Sequence, residues 1–351
     1  MEEEKKLYPM KFVPIEEAGG DVVQIADLGY LDSEIRNGWL AASSISEVME
    51  MYMDRVVGEG VFGYYGRQFP VTIRFRDING CTPLVVHPDD VIAEERFDFL
   101  GKSKLWYVVS AAPGAKFHLG FKRDVSSAEF YDACQNGTVD ALLNTVEVRA
   151  GDSYFIYPGL VHAAQGDLTI AEISESSPLD FRLFTWGAAQ AADDFDSELT
   201  LEAAFDFIDY GRYNPDAEGT VRPDLHEDEA GNTTRLTDNP EFTVHEVRLK
   251  DALHVFCEKF GSFVTYTCLS GEAVIQTEID GEKETYSVKP GETILIPAEV
   301  PDFFLMPAAK NTVLLETMVE AQDVVDRYIA SDDDSDNDVE ASDIDSSSPL
   351  N

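Results

Sequence analysis

Apolar residues fall into two rhythms along this 351-residue chain, and the switch between them places its elements. After Ser44, which forms a capping box with Glu47, Ile45, Val48, Met49, Tyr52 and Val56 recur at helical spacing. That pattern predicts an amphipathic helix with one core-facing stripe. From Phe69 the period drops to two: Val71, Ile73 and Phe75 alternate with Thr72, Arg74 and Arg76, the mark of a half-buried strand. Leu84–His87 is a second strand, stopped by Pro88, and a short polar segment follows. Leu105–Ser110 and Lys116–Phe121 flank Ala-Ala-Pro-Gly and predict a hairpin. Ser126 and Glu129 cap a short helix that ends at Asn136-Gly137. Strands return at Tyr154–Tyr157, Thr169–Ile173 and Phe181–Phe184.

A helix is expected over Leu199–Tyr210, with Leu201, Ala204, Phe205 and Ile208 on one face. Asn214–Asn239 is rich in Pro, Asp, Glu and Gly and reads as a linker. Beyond it, strands are expected at Phe242–Leu249, Gly261–Leu269, Glu272–Glu278, Glu284–Val288 and Thr293–Ile296, with a turn at Asp280-Gly281. The stretch G-D-S-Y-F-I-Y-P from Gly151 echoes G-E-T-I-L-I-P-A from Gly291. Two barrels built on one plan account for that echo, and histidine accompanies the first copy alone. At the start, Leu7–Ile15 reads as an extended entry segment broken by prolines.

Charge narrows the function classes. The chain carries 26 basic against 67 acidic residues, a formal charge of -41. Such a surface repels phosphate backbones, which excludes nucleic acid, while a small anionic sugar phosphate requires local cations to enter. Ser331 onward is low-complexity and acidic, a solvated tail and a candidate contact for a basic protein partner. Asp334, Asp336 and Asp338 imitate the start of a calcium loop, but Val339 stands where its turn glycine belongs. Cys81, Cys134, Cys257 and Cys268 form no CxxC pair and suit free thiols in a reducing compartment. No apolar signal core opens the chain and no 18-residue apolar run occurs, so a cytoplasmic protein without membrane spans is expected.

Candidate chemistry gathers in three blocks. P-L-V-V-H-P-D-D places His87 at a strand end, and G-D-S-Y-F-I-Y-P-G-L-V-H does the same for His162. Between them lies G-K-S-K-L-W-Y, with Lys102 and Lys104. In this order, together with Y-P-M-K-F, F-P-V-T-I-R-F-R-D-I, P-G-A-K-F-H-L-G-F, I-A-E-I-S, F-R-L-F-T-W-G and I-D-Y-G-R-Y, the chain resembles the short bacterial class I mannose-6-phosphate isomerases over about residues 7–318. The resemblance implies a mainly β fold of two cupin barrels with additional helices and a disordered acidic C-terminal tail. The expected division is an N-terminal extended and helical segment (1–68) and a first barrel with the candidate site (69–190). A helix and linker (191–240), a second barrel without metal ligands (241–320), and a helix end with the acidic tail (321–351) complete it.

The resemblance also implies a zinc site, with a Gln and a His on the V-H-P-D-D strand, a Glu in the G-K block and the His of the later block. His87 and His162 match, whereas Val85 and Lys104 stand in the other two places. Lys102, Glu172 and Arg182 match further polar positions of the family, and Lys104 joins them as a candidate catalytic cation. A later arginine of the family is Ala188 here, and Gly38-Trp39 is a remnant of a tryptophan block. Zinc takes three or four N, O or S ligands, so two imidazoles make a weak site. An ammonium in a carboxylate's place adds repulsion on the order of 4 kcal/mol at contact range with an effective dielectric of about 20. His118, on the neighbouring strand, is a candidate third imidazole. The resulting expectation is a sugar-phosphate pocket with impaired or lost isomerase activity. The alternatives are a working isomerase, with a rebuilt zinc site or with Lys104 in the metal's role, and a non-enzymatic regulatory or scaffolding protein using its tail. More ordinary roles remain for the same residues: surface charges for Lys102 and Lys104, an inter-strand ion pair for Glu172 and Arg182, and incidental positions for His226, His245 and His254.

Overall fold

The structure is a computed structural model and describes residues 5–187, 200–215, 220–221, 233–257 and 261–319. Three short strands open it: β1 (Met10–Lys11), β2 (Ile15–Glu16) and β3 (Val22–Ile25). Helices α1 (Ile45–Tyr52), α2 (Asp54–Val57) and α3 (Glu59–Tyr65) follow. The capping box at Ser44 and Glu47 is present in full. The apolar stripe does not continue to Val56 in one helix, because Met53 adopts a positive φ of 49° and restarts the chain as α2. Gly58 then separates α2 from α3, and a Cβ there would lie 2.2 Å from the Gly261 carbonyl oxygen. Only glycine permits this approach of the helices to the later half of the chain.

The first barrel is built from β4 (Val71–Cys81), β5 (Leu84–Val86), β6 (Lys104–Ala111), β7 (Lys116–Phe121), β8 (Leu143–Glu147), β9 (Ser153–Ile156), β10 (His162–Glu175) and β11 (Phe181–Phe184). Strand β10 is its hub. It pairs antiparallel with β4 from Gln165 to Glu175, with β6 from Leu168 to Ser174, with β7 from His162 to Gln165, and with β5 at His162 opposite Val85. The predicted β6–β7 hairpin is therefore corrected: both strands run antiparallel to β10, one after the other along its length, so the Pro113-Gly114 turn interrupts one edge of the ladder instead of reversing the chain. Helix α4 (Asp90–Phe97) replaces the polar segment expected after Pro88, with the Asp89 carboxylate accepting from the Ile92 N–H at 2.9 Å. Helix α5 (Ser127–Asn136) has the predicted Ser126 cap and ends at left-handed Gly137.

Helix α6 is only Leu201–Ala204, because the chain turns at Phe205 and Asp206 instead of continuing to Tyr210. Part of the stretch read as a linker is strand: β12 (Thr220–Val221) pairs with β9, and β13 (Thr233–Asp238) pairs with β14 (Thr243–Leu249). The second barrel continues through β15 (Leu253–Phe256), β16 (Val264–Ser270), β17 (Ala273–Ile279), β18 (Glu282–Val288), β19 (Thr293–Ile296), β20 (Asp302–Pro307) and β21 (Thr312–Met318). Its sheets run β1-β19-β16-β21-β14-β13 and β15-β20-β17-β18. A shared core of Ile45, Val48, Phe69, Ile73, Phe263 and Leu315 joins α1 and the two barrels. Among the described residues no helix is long and apolar enough to cross a membrane. Ala188, His226 and the acidic tail lie outside the described residues.

Candidate active site

Two turns bring the histidine blocks together. His87 follows β5 directly, before Pro88, and its carbonyl accepts from the Gly159 N–H at 2.8 Å, so the Pro158-Gly159 turn folds onto it. Gly159 has φ 86°, and a Cβ would meet the Phe207 carbonyl oxygen at 2.9 Å. His162 then opens β10, and the two imidazole centroids lie 4.7 Å apart. The G-K block packs on the same corner: the Lys102 N–H donates to the Pro88 carbonyl at 3.1 Å and the Gly101 N–H to Asp90 at 2.8 Å.

The His162 Nδ1–H donates to the Leu160 carbonyl at 2.8 Å, which leaves its Nε2 as a lone pair with no protein partner. The His87 Nε2–H donates to Asp180 Oδ1 at 2.7 Å, and its Nδ1 is likewise unpartnered. Both rings are fully buried. Burial, reinforced by the Lys104 ammonium, pushes the His87 pKa down to about 3. His162 is held well below its usual value by burial, then by His87 and Lys104, so both rings are neutral at physiological pH.

Lys104 occupies the first position of β6, opposite Ser174, and is 2% exposed. Its Nζ lies 3.5 Å from Glu172 Oε2 and 3.7 Å from Asp180 Oδ1. Burial pushes its pKa down to about 8 against the pull of those two carboxylates, so the ammonium persists at neutral pH. Lys102, equally buried, pairs with Asp180 Oδ2 at 2.8 Å. Glu172 receives Trp106 Nε1–H at 2.6 Å, Arg76 at 3.2 Å and Arg74 at 3.5 Å. Burial alone would raise its carboxyl, but Lys104, Arg76 and Arg74 outweigh burial and hold it well below the usual range. The same contest, won by Lys102, Lys104 and His87, keeps Asp180 ionised.

The fold thus assembles His87, His162, Lys102, Lys104 and Glu172. The surface reading of the two lysines is corrected, because both side chains are buried, Lys102 against Asp180 and Lys104 against Glu172 and Asp180. Glu172 is engaged by Trp106, Arg74, Arg76 and Lys104. Arg182 sits on β11 opposite Val85, with its side chain exposed at the edge of the site. His118 is opposite Ala163 in the β7–β10 ladder, hence on the other face from His162, where it stacks on Trp186. It cannot be a third ligand there. His245 and His254 pair with Glu316 and Asp302 in the second barrel. Cys134 is buried and Cys81 half-buried, and burial raises both thiols.

Sequence reasoning missed Asp180, Arg74 and Arg76. The two arginines alternate with Ile73 and Phe75 as a solvent face would, but β10 and Asp21 cover them. Their faint signal was a pair of like charges on one strand face of an acidic chain.

The donor set does not fit zinc. His87 Nδ1 and His162 Nε2 supply two lone pairs, Val85 supplies none, and Lys104 brings an ammonium beside them. Among the described residues no three of His, Cys, Asp or Glu are arranged to hold a metal ion.

No protein-family model matches the chain. It is 26% identical over 231 residues to the mannose-6-phosphate isomerase of Streptococcus mutans, covering 65% of this chain and 68% of that protein. The crystal structure of the mannose 6-phosphate isomerase from Bacillus subtilis superposes with a TM-score of 0.68 at 19% identity, over 89% of this chain and 100% of that one. A mutant of the phosphomannose isomerase from Salmonella typhimurium gives a TM-score of 0.70 at 13% identity, over 90% and 100%. By sequence the chain is similar to proteins named mannose-6-phosphate isomerase, and its mainly β, cupin-like fold is that of the solved phosphomannose isomerase structures.

Proposed function

We propose that the protein is a cytoplasmic mannose-6-phosphate isomerase homologue of carbohydrate metabolism that takes a sugar phosphate and whose isomerase activity is impaired or lost. One observation carries this reading: a buried ammonium, Lys104 Nζ, stands between Glu172 and Asp180 beside two neutral imidazoles. Aldose–ketose isomerisation needs a base to move a proton between C1 and C2 and an electrophile for the enediolate oxygens. Glu172 is a poor base while it is bound to several cations, and the imidazoles lack the ligands that would complete a metal site. The site gathers Arg74, Arg76, Lys102 and Lys104 around Glu172 and Asp180, and such local cations suit a phosphorylated sugar.

Conversion of mannose 6-phosphate to fructose 6-phosphate, assayed with and without a chelator, tests the reading, which predicts little or no turnover in either condition. Rapid turnover abolished by the chelator would overturn it. A second reading, in which Lys104 supplies the electrophilic charge itself, is favoured by its closeness to Glu172. It predicts turnover that survives the chelator and disappears in Lys104→Ala.

A further inference from the structure

Two glutamates near the end of β10, Glu172 and Glu175, are each 2% exposed, yet their surroundings are opposite. Glu172 meets Lys104, Arg74 and Arg76. Glu175 has no cation beside it among the described residues, and the charged groups that face it are Asp90 and Glu241. Its Oε2 accepts from the Ser103 N–H at 2.7 Å, and its own N–H donates to the Ser103 carbonyl at 3.1 Å. Its Oε1 has no protein partner. Ser103 stands between Lys102 and Lys104, so this reciprocal pair fastens the lysine-bearing segment to the end of β10.

The same segment is held once more by an acid: the Gly101 N–H donates to Asp90 Oδ1 at 2.8 Å. Two residues of chain span at most about 7 Å, so the carboxyls that hold the Gly101 and Ser103 amides are near neighbours. The other elements packed here bring no positive charge. Tyr64 of α3 donates to Asp90 Oδ2 at 3.2 Å, Tyr65 donates to the Glu241 carbonyl at 3.3 Å, and Val71 of β4 lies opposite Glu175. Lys102 and Lys104 send their ammoniums to Asp180 and Glu172 instead. An ionised Glu175 is thus a buried charge without a counter-ion, facing two acids. Burial first, then Asp90 and Glu241, push its carboxyl well above the ordinary range, against the Ser103 hydrogen bonds.

We propose that Glu175 is a proton-held latch: protonated, it fastens Ser103, and with it Lys102 and Lys104, to β10, and loss of its proton to solvent frees that segment. The candidate site's two lysines are thereby placed under a pH control set outside the site, whatever the site binds.

Glu175→Gln tests it in the full chain, because the amide keeps the shape and an acceptor for Ser103 but cannot ionise. The unfolded carboxyl titrates near 4.5 and the folded one higher, so the wild type's stability is complete below 4.5 and is lost as pH rises toward the folded value. Denaturation at a series of pH values should give matching pH dependence for the two proteins below pH 4.5. Above it, the folding equilibrium constant of Glu175→Gln should gain on wild type by about tenfold per pH unit until the folded value is passed. Hydrogen exchange at the Ser103 and Lys104 amides should accelerate with pH more steeply in wild type than in Glu175→Gln, while the titration of Lys104 is common to both. A stability ratio that ignores pH, or equal exchange at Ser103 in the two proteins across the range, would overturn the proposal. If Glu175→Gln does not fold, Asp90→Asn decides: it removes a facing charge and keeps an acceptor for Gly101, so the onset of rapid Ser103 exchange should move to lower pH. An onset that stays in place or rises would count against the latch.

Discussion

At the scale of residues, the site is an electrostatic arrangement in which each member fixes the next. Glu172 is the acceptor for Trp106, Arg76 and Lys104 and the ion-pair partner of Arg74. Glu172→Ala would strand buried cations and an indole N–H, and chemical denaturation should show a loss of about 3–5 kcal/mol. Lys104 acts in the opposite sense. Its folded-state pKa lies at about 8, below 10.5, so at neutral pH the fold carries the full penalty of a buried ammonium. Between those values the unfolded chain holds a proton that the folded one has released, and stability rises with pH. Lys104→Met removes the group, so the variant's advantage over wild type should be largest at neutral pH and shrink as pH rises from about 8 to about 10.5. An advantage independent of pH would sink this assignment. Sequence located the histidines and lysines because their strand-end blocks are distinctive. It could not locate Asp180, whose role depends on a turn that returns it to three donors from distant strands.

At the scale of elements, alternation and capping were legible where one rule dominates. The Ser44 and Ser126 caps, the Asp280-Gly281 turn and Thr293–Ile296 stand as read. Pairing partners were less legible, since β6 and β7 are neighbours in sequence yet both bond to β10. The 14-residue length of β10 lets it serve four partners, and no local pattern encodes that. One short element relies on charge: Lys11 of β1 and Arg36 both bind Glu292, at 2.8 and 2.5 Å, tying the N-terminal segment to the second barrel ahead of β19. Burial opposes ionisation of Glu292, yet these partners hold its pKa down to about 2. Its contribution should be complete above pH 4.5 and fade as pH falls toward 2. Glu292→Gln should therefore be less stable than wild type by about 1 kcal/mol at neutral pH, with the difference closing in acid. Equal stability of the two at neutral pH would contradict the ion pairs.

At the scale of the whole molecule, the barrels share one core, and a buried polar contact reinforces it. Tyr107 on β6 donates to Glu246 on β14 at 2.6 Å. Tyr107→Phe removes one of the carboxylate's two donors, leaving Arg248, and should lower the stability of both barrels together by about 1 kcal/mol, in a single melting transition. Two separate transitions would show that the barrels unfold independently. Against the overall charge of -41, the gathering of Arg74, Arg76, Lys102 and Lys104 around Glu172 and Asp180 is a local exception, assembled by the fold from segments far apart in sequence. The central claim is that an ammonium, Lys104, beside two imidazoles short of further ligands keeps zinc from lodging between His87 and His162. Elemental analysis of the protein, purified without chelators and re-exposed to zinc, tests it most directly. The account predicts far less than a stoichiometric amount of zinc after desalting, whereas a zinc ion per chain that is lost in His87→Ala or His162→Ala would contradict it.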